Sequence, residues 1–267
     1  MIVLVDDGST DRTSLIARRT QASSIPLHII RLPDTGYDIR RVPANINRAY
    51  AYAENLGVNF DFTLISNDDC IYSDTYGEEL LTRMKRNRKL AITSGDWQDR
   101  LRIGPPQGTG RFVREAFWTS IGRRYPRAYG WESWILFRAV QNGLDVQKFA
   151  EVRFTHLRPL GHSHKFKHWG IEMRTLGYHP LYAVLRCFRN IVAASEPIST
   201  RGNLLILLYY FVPCLYRNDQ FFRYFDRDFR KFVRGQQLNL ILMRFKPTTR
   251  PLIFGIARLL ELLYPIN

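Results

Sequence analysis

The run Ile2-Val3-Leu4-Val5-Asp6-Asp7-Gly8-Ser9-Thr10-Asp11 constrains the fold of this chain more than any other segment. Four apolar residues, mostly β-branched, read as a buried parallel strand. Two carboxylates fall where that strand ends. Gly8 permits a tight turn, and Ser9, Thr10 or Asp11 can cap the helix that follows. Ligands of open α/β sheets bind outside the carboxyl ends of strands, so paired acids there point to a site. The competing reading is a plain strand-to-helix turn with Asp as its cap.

A second strand ends the same way. Phe62–Ser66 runs into Asn67-Asp68-Asp69-Cys70. Adjacent carboxylates repel, and burying them unpaired costs several kcal/mol. A divalent cation is the usual remedy. Oxygen ligands suit Mg²⁺ or Mn²⁺, with substrate phosphates completing the shell. Alternatively, Asp68 and Asp69 cap a helix over Ile71–Leu81.

The rest of the chain alternates strand and helix. Helices are expected at 11–22, 45–56 (ended by Gly57), 76–88, 115–121 and 132–142 (ended by Gly143). Strands are expected at 27–31, 90–94, 111–114 and 146–154. Residues 33–43 and the Gly/Pro-rich segment 95–110 read as loops, the second bordering a cleft. This order predicts an α/β fold with a mostly parallel sheet and right-handed crossovers.

These segments resemble the family 2 glycosyltransferases, whose fold is GT-A, a Rossmann-like α/β sheet flanked by helices. The opening run matches the family's V-D-D-G-S-T-D signature. Asn67-Asp68-Asp69 is similar to its D-x-D metal motif, with Asn in first place. Asn47-Arg48-Ala49 resembles the R-N-x-G segment, and Tyr129–Trp134 with Arg138 resembles the acceptor-side G-x-E-D motif. The resemblance spans roughly residues 1–160, taken as the catalytic domain, and leaves 161–267 as a helical, basic and apolar extension.

The resemblance implies a metal-dependent, inverting transfer from a nucleotide-diphosphate sugar to a glycan or lipid-linked acceptor. It makes Asp69 a metal ligand, places Asp68 on the ribose or the metal, and has Asp7 accept a hydrogen bond from the base. Asp6, Asn47 and Arg138 fall on the donor side. Glu132 is the candidate general base, with a helix N-terminal acid as the alternative. The family often carries Asp after this Glu, where this chain has Ser133. His156, beyond the last expected strand, is a candidate for completing the metal site; a purely structural histidine is the other reading. His162, His164 and His168, interleaved with Lys165 and Lys167, suit a basic loop that closes over phosphates. Family members usually begin with a further strand and helix upstream. A chain extended upstream is expected to be more stable and to bind nucleotide more tightly.

Composition adds bounds. The 267 residues are 45% hydrophobic and carry a formal charge of +15. That charge favours anionic partners, such as nucleotides or an anionic membrane surface. No nucleic-acid-binding module is recognisable, so none is expected as a partner. Cys70, Cys187 and Cys214 lie far apart, which suggests neither zinc nor a disulfide framework and fits a reducing compartment. No signal-peptide pattern opens the chain, and no apolar run reaches the roughly 18–20 residues that cross a bilayer. Leu204–Tyr216 and Leu252–Tyr264 come nearest, and basic residues flank both. The expected location is cytoplasmic, with possible peripheral attachment to the membrane face. A sugar nucleotidyltransferase and a non-catalytic nucleotide-binding scaffold are the rivals; the first usually has a Gly-rich, basic phosphate loop that Gly8-Ser9-Thr10 lacks.

Overall fold

The structure, a computed structural model, describes residues 1–20, 25–36, 38–97, 105–157, 166–193, 198–215 and 224–264. The chain divides into two compact units, one of Met1–Arg127 with Arg138–Leu157 and one of Ala128–Phe137 with Arg158–Asn267.

In the first unit, β1 (Ile2–Asp6) and β2 (Leu27–Arg31) pair in parallel, with α1 (Thr13–Thr20) between them in sequence. Strands β3 (Phe62–Ile65), β4 (Cys70–Tyr72), β5 (Leu90–Asp96), β6 (Arg111–Arg114) and β7 (Asp145–His156) form a five-stranded sheet in the order β3-β6-β5-β7-β4. Pairs β1–β2 and β5–β7 run parallel, whereas β3–β6, β5–β6 and β4–β7 run antiparallel. The sheet is therefore mixed, where strand–helix alternation predicts mostly parallel pairing. The reason lies in the connections. Strand β6 is the next described element after β5, and an antiparallel neighbour needs no crossover helix. Among the described residues no ladder joins β1 to β3, so the acidic strand ends belong to two sheets rather than one central layer. On these strands Ile2 and Leu64 stay 49% and 39% exposed.

Two boundaries move for physical reasons. Helix α2 (Arg41–Asn55) starts four residues before the expected Asn45. Pro43 falls in its first turn, where a missing N–H is no loss. Residues 70–72 form β4, and α3 (Tyr76–Arg86) starts later. Asp68 and Asp69 thus cap no helix beginning at Ile71.

Tyr76, Leu80 and Met84 of α3 pack with Leu90, Phe112, Val152 and Phe154 into the core of this unit. The Tyr76 hydroxyl donates to the Gly110 carbonyl at 2.6 Å and accepts the Gly95 N–H at 2.9 Å. Both of its polar demands are met inside the core, and both ends of segment 95–110 are pinned in the process. Helix α4 (Glu115–Ser120) adds fully buried Trp118, which stacks on Tyr50 of α2.

Helix α5 (Trp131–Gln141) contributes residues to both units. The second unit is otherwise helical: α6 (Phe166–Thr175), α7 (Pro180–Ala193), α8 (Thr200–Phe211), α9 (Arg227–Met243) and α10 (Arg250–Leu263). Phe137 meets the Tyr178 and Phe229 rings edge-on, and the buried Tyr210 hydroxyl donates to the Tyr178 carbonyl at 2.6 Å. Asp226 caps α9 by accepting the Phe229 N–H at 2.7 Å. The two apolar runs fall in and just beyond α8 and α10, and no described helix is long and apolar enough to cross a membrane. Val184, Phe188 and Val192, at helical spacing on α7, are nonetheless 38%, 62% and 67% exposed. Leu252, Ile256, Leu259 and Leu263 form a comparable exposed stripe on α10.

Candidate active site

The turn after β1 is built by Asp6. Its side chain is only 3% exposed and accepts the Ser9 N–H at 2.8 Å and the Ser14 hydroxyl, with the Arg31 guanidinium 4.0 Å away. Burial opposes its charge, yet the bonds from Ser14 and Ser9 and the Arg31 cation outweigh it and hold the carboxyl below its ordinary value. Gly8 adopts φ +89°, and a Cβ there would sit 2.5 Å from the backbone of Asp34. Only glycine fits such a turn. Asp11, in turn, accepts the Thr13 N–H at 2.9 Å and caps α1.

Asp7 is left pointing outward, with its side chain 39% exposed. It accepts two bonds from Arg41, at 2.5 and 3.1 Å. Arg41 also donates to the carbonyls of Gly36 and Pro33, at 2.9 and 3.0 Å. One guanidinium thus ties the β1 turn, the loop after β2 and the start of α2 together. Sequence reasoning missed Arg41 because nothing in spacing sets it apart from the other 38 basic residues.

The second acidic end brings together Asp69, Cys70 and His156. Cys70 and His156 are cross-strand partners in β4 and β7, so their side chains share one face of the sheet. His156 lies at the end of β7 rather than beyond it. Its Nε2 stands 3.6 Å from Asp69 Oδ1, with both side chains nearly buried. The Asp69 carbonyl accepts the Leu157 N–H at 2.7 Å and locks the turn against the strand. Trp97 covers the His156 ring at 5.6 Å. Thr109 holds the same turn from below, accepting the Asn67 N–H at 3.0 Å with its hydroxyl 3.2 Å from Cys70 Sγ. The Gly108-Thr109-Gly110 loop therefore supports the acidic turn. Asp68 is exposed on the outside of the same turn.

The donor set of this cluster fits a divalent cation. The ligand atoms of Asp69, Cys70 and His156 lie within 4.8 Å of one another. A carboxylate and an imidazole suit Mn²⁺ and its neighbours. Burial pushes the Cys70 thiol up, despite partial relief by Thr109 and Tyr72, and keeps it protonated as a packing group. On β5 and β7, Asp96 and Lys148 form an ion pair at 2.7 Å with both side chains buried, which the strand patterns did not disclose.

Asn47 sits in the second turn of α2, not at its start. Its amide donates to the Tyr125 carbonyl at 2.9 Å and accepts the Tyr125 N–H at 2.8 Å, so it acts as a strand partner for the loop before α5. A hollow of about 430 Å³ is lined by Asn47, Ala51, Glu54, Thr119, Arg123 and Arg124. Arg123 there is paired with Glu54 and Glu115, and the hollow contains none of the strand-end acids.

Glu132 lies exposed in the first turn of α5, and Arg138, one and a half turns on, donates to Gln141 at 2.8 Å. Ser133 next to Glu132 donates to Oε1 of Glu172 at 2.8 Å. Glu172 is a further acid that no motif disclosed. His168 packs its ring 5.4 Å from Tyr129, while His162, His164 and Lys165 lie outside the described residues.

Solved glycosyltransferases share this fold. S. aureus TarS 1-349 is 15% identical to this chain with a TM-score of 0.50, the match covering 97% of this chain and 77% of TarS. The mannosyltransferase PcManGT from Pyrobaculum calidifontis, solved with GDP-Man and Mn²⁺, is 14% identical with a TM-score of 0.52, covering 99% and 78%. The fold is thus of the GT-A glycosyltransferase class. Residues 1–129, just under half of the chain, match the family model Glycosyl transferase family 2. No curated protein matches it significantly.

Proposed function

We propose that this chain is a metal-dependent, inverting hexosyltransferase that moves a sugar from a nucleotide-diphosphate donor to a glycan or lipid-linked acceptor, in glycan synthesis. The observation that carries this reading is the Asp69–His156 pair, 3.6 Å apart at a nearly buried strand end. Those two residues would hold Mg²⁺ or Mn²⁺. When bound, such an ion supplies Lewis-acid stabilisation of the departing diphosphate. Asp68, at the rim of the turn, takes the ribose or the ion. Asp7, fixed by Arg41, accepts a hydrogen bond from the nucleotide base. Asp6 holds the turn that presents Asp7, and Asn47 and Arg138 complete the donor side. Glu132 takes the proton from the acceptor hydroxyl as it attacks. One base and no enzymic nucleophile suffice for a single displacement, which inverts the anomeric centre.

Residues 1–160 are assigned the chemistry, and 161–267 the approach to the acceptor. The apolar stripes on α7 and α10 support a lipid surface as the place where that acceptor is met. Exposed Arg244, Lys246 and Arg250 lead into α10, and the net charge is +15, so an anionic cytoplasmic membrane face is the matching partner.

A thermal-shift panel tests the donor reading. UDP-, GDP- and other nucleotide-activated sugars are each titrated with and without Mn²⁺. One donor is expected to raise Tm by several degrees at a hundredfold excess over its Kd, and only with the metal present. A panel with no metal-dependent shift for any donor would refute the reading.

A further inference from the structure

In this chain Ser133 occupies the place after Glu132 where the family often has a second acid. The fold brings another carboxylate to that place. Glu172, one turn before the end of α6, accepts the Ser133 hydroxyl at 2.8 Å. The approach is close because Gly130 has no side chain. Its φ is +84°, and a Cβ there would lie 2.7 Å from Leu176 and 2.9 Å from Glu172 Cγ. The turn that carries Glu132 is thereby pressed onto the α6 residue that answers its serine.

We propose that Glu172 is a positioning residue of the acceptor-side base, returning through Ser133 the second carboxylate that the Glu132 turn lacks. This rests on the reading of Glu132 as the base. The groups facing Glu172 are Ser133 and Glu132 of α5, Tyr178 after α6, and Arg186 of α7. Burial pushes the Glu172 carboxyl up to about 7, and the Glu132 charge adds to this, while Ser133 and Arg186 pull the other way. Glu172 therefore changes charge across neutrality. A charged Glu172 sets a second negative charge beside the turn where the acceptor proton is taken up. Activity is expected to rise with pH through that range.

Glu172→Gln is expected to flatten the rise in kcat between pH 6 and 8 and to lower kcat at pH 8 roughly tenfold. Donor KM and the metal-dependent thermal shift stay within twofold of wild type. Adding Ser133→Asp to that variant puts a carboxylate back in the turn and restores most of the loss. The titration itself is read without activity. The folded state keeps a proton on Glu172 above the ordinary carboxyl value of 4.5, so stability is full below that value and declines as pH rises through about 7. Glu172→Gln removes that decline. If Glu172→Gln does not fold, Ser133→Ala removes the bond that favours the charged form of Glu172 while leaving the carboxyl in place, and the rise in kcat is expected to move to higher pH. A wild-type pH profile in either variant, or no rescue by Ser133→Asp, overturns the proposal. Wild type active and Glu132→Gln inactive would then leave the transferase reading standing. An inactive wild type with no donor-dependent shift sinks that reading instead.

Discussion

Replacing Asp69 with Ala is expected to abolish the metal-dependent thermal shift and lower kcat/KM by about 10²–10⁴. Lewis-acid stabilisation of a leaving diphosphate is worth several kcal/mol, and each 1.36 kcal/mol is tenfold in rate. The substitution removes the carboxylate 3.6 Å from His156 and leaves an imidazole alone to hold the ion. The fold should survive. The bond from Leu157 to residue 69 uses the backbone carbonyl, which alanine keeps. The apo Tm should therefore stay within about 3 °C of wild type, since a change of 1 kcal/mol moves Tm by only a few degrees. Transfer within tenfold of wild type, measured with saturating donor and Mn²⁺, would remove Asp69 from the metal site.

The second large effect is expected at Glu132. Glu132→Gln keeps shape and exposure but cannot accept a proton. General base catalysis typically contributes 10²–10⁴-fold, and kcat should fall by that much. Donor binding should be unchanged, because Glu132 is not among the residues proposed to hold the metal or the donor. The split between a lost kcat and a preserved donor-induced shift separates this result from Asp69→Ala, where both are lost. A variant that retains a tenth or more of wild-type kcat at all pH values would show that Glu132 only favours the α5 helix dipole.

The Asp6-Asp7 turn was legible because a strand, a glycine and a capping serine follow one another within ten residues. Each of those choices is local; the structure puts Gly8 in the left-handed region and gives the cap to Asp11 rather than a serine, on a strand only partly buried. The Asp69–His156 meeting was half legible. The acid stood out beside its neighbour, but the histidine lies 87 positions later and meets it through β4–β7 pairing. Strand β4 was invisible, since three residues give no period to detect. Alternation of strand and helix also overstated the parallel pairing, because antiparallel neighbours such as β5 and β6 need no crossover helix between them.

What this chain settled by sequence alone is therefore local: which short segments are strands, where the backbone must turn left-handed, and which acids stand at strand ends. Tertiary structure decided who meets whom. Arg41 clamps Asp7, Thr109 props the acidic turn, and Glu172 answers Ser133 across 39 residues. Each is a polar side chain whose partner is set by packing, and neither composition nor periodicity encodes a distance between remote positions.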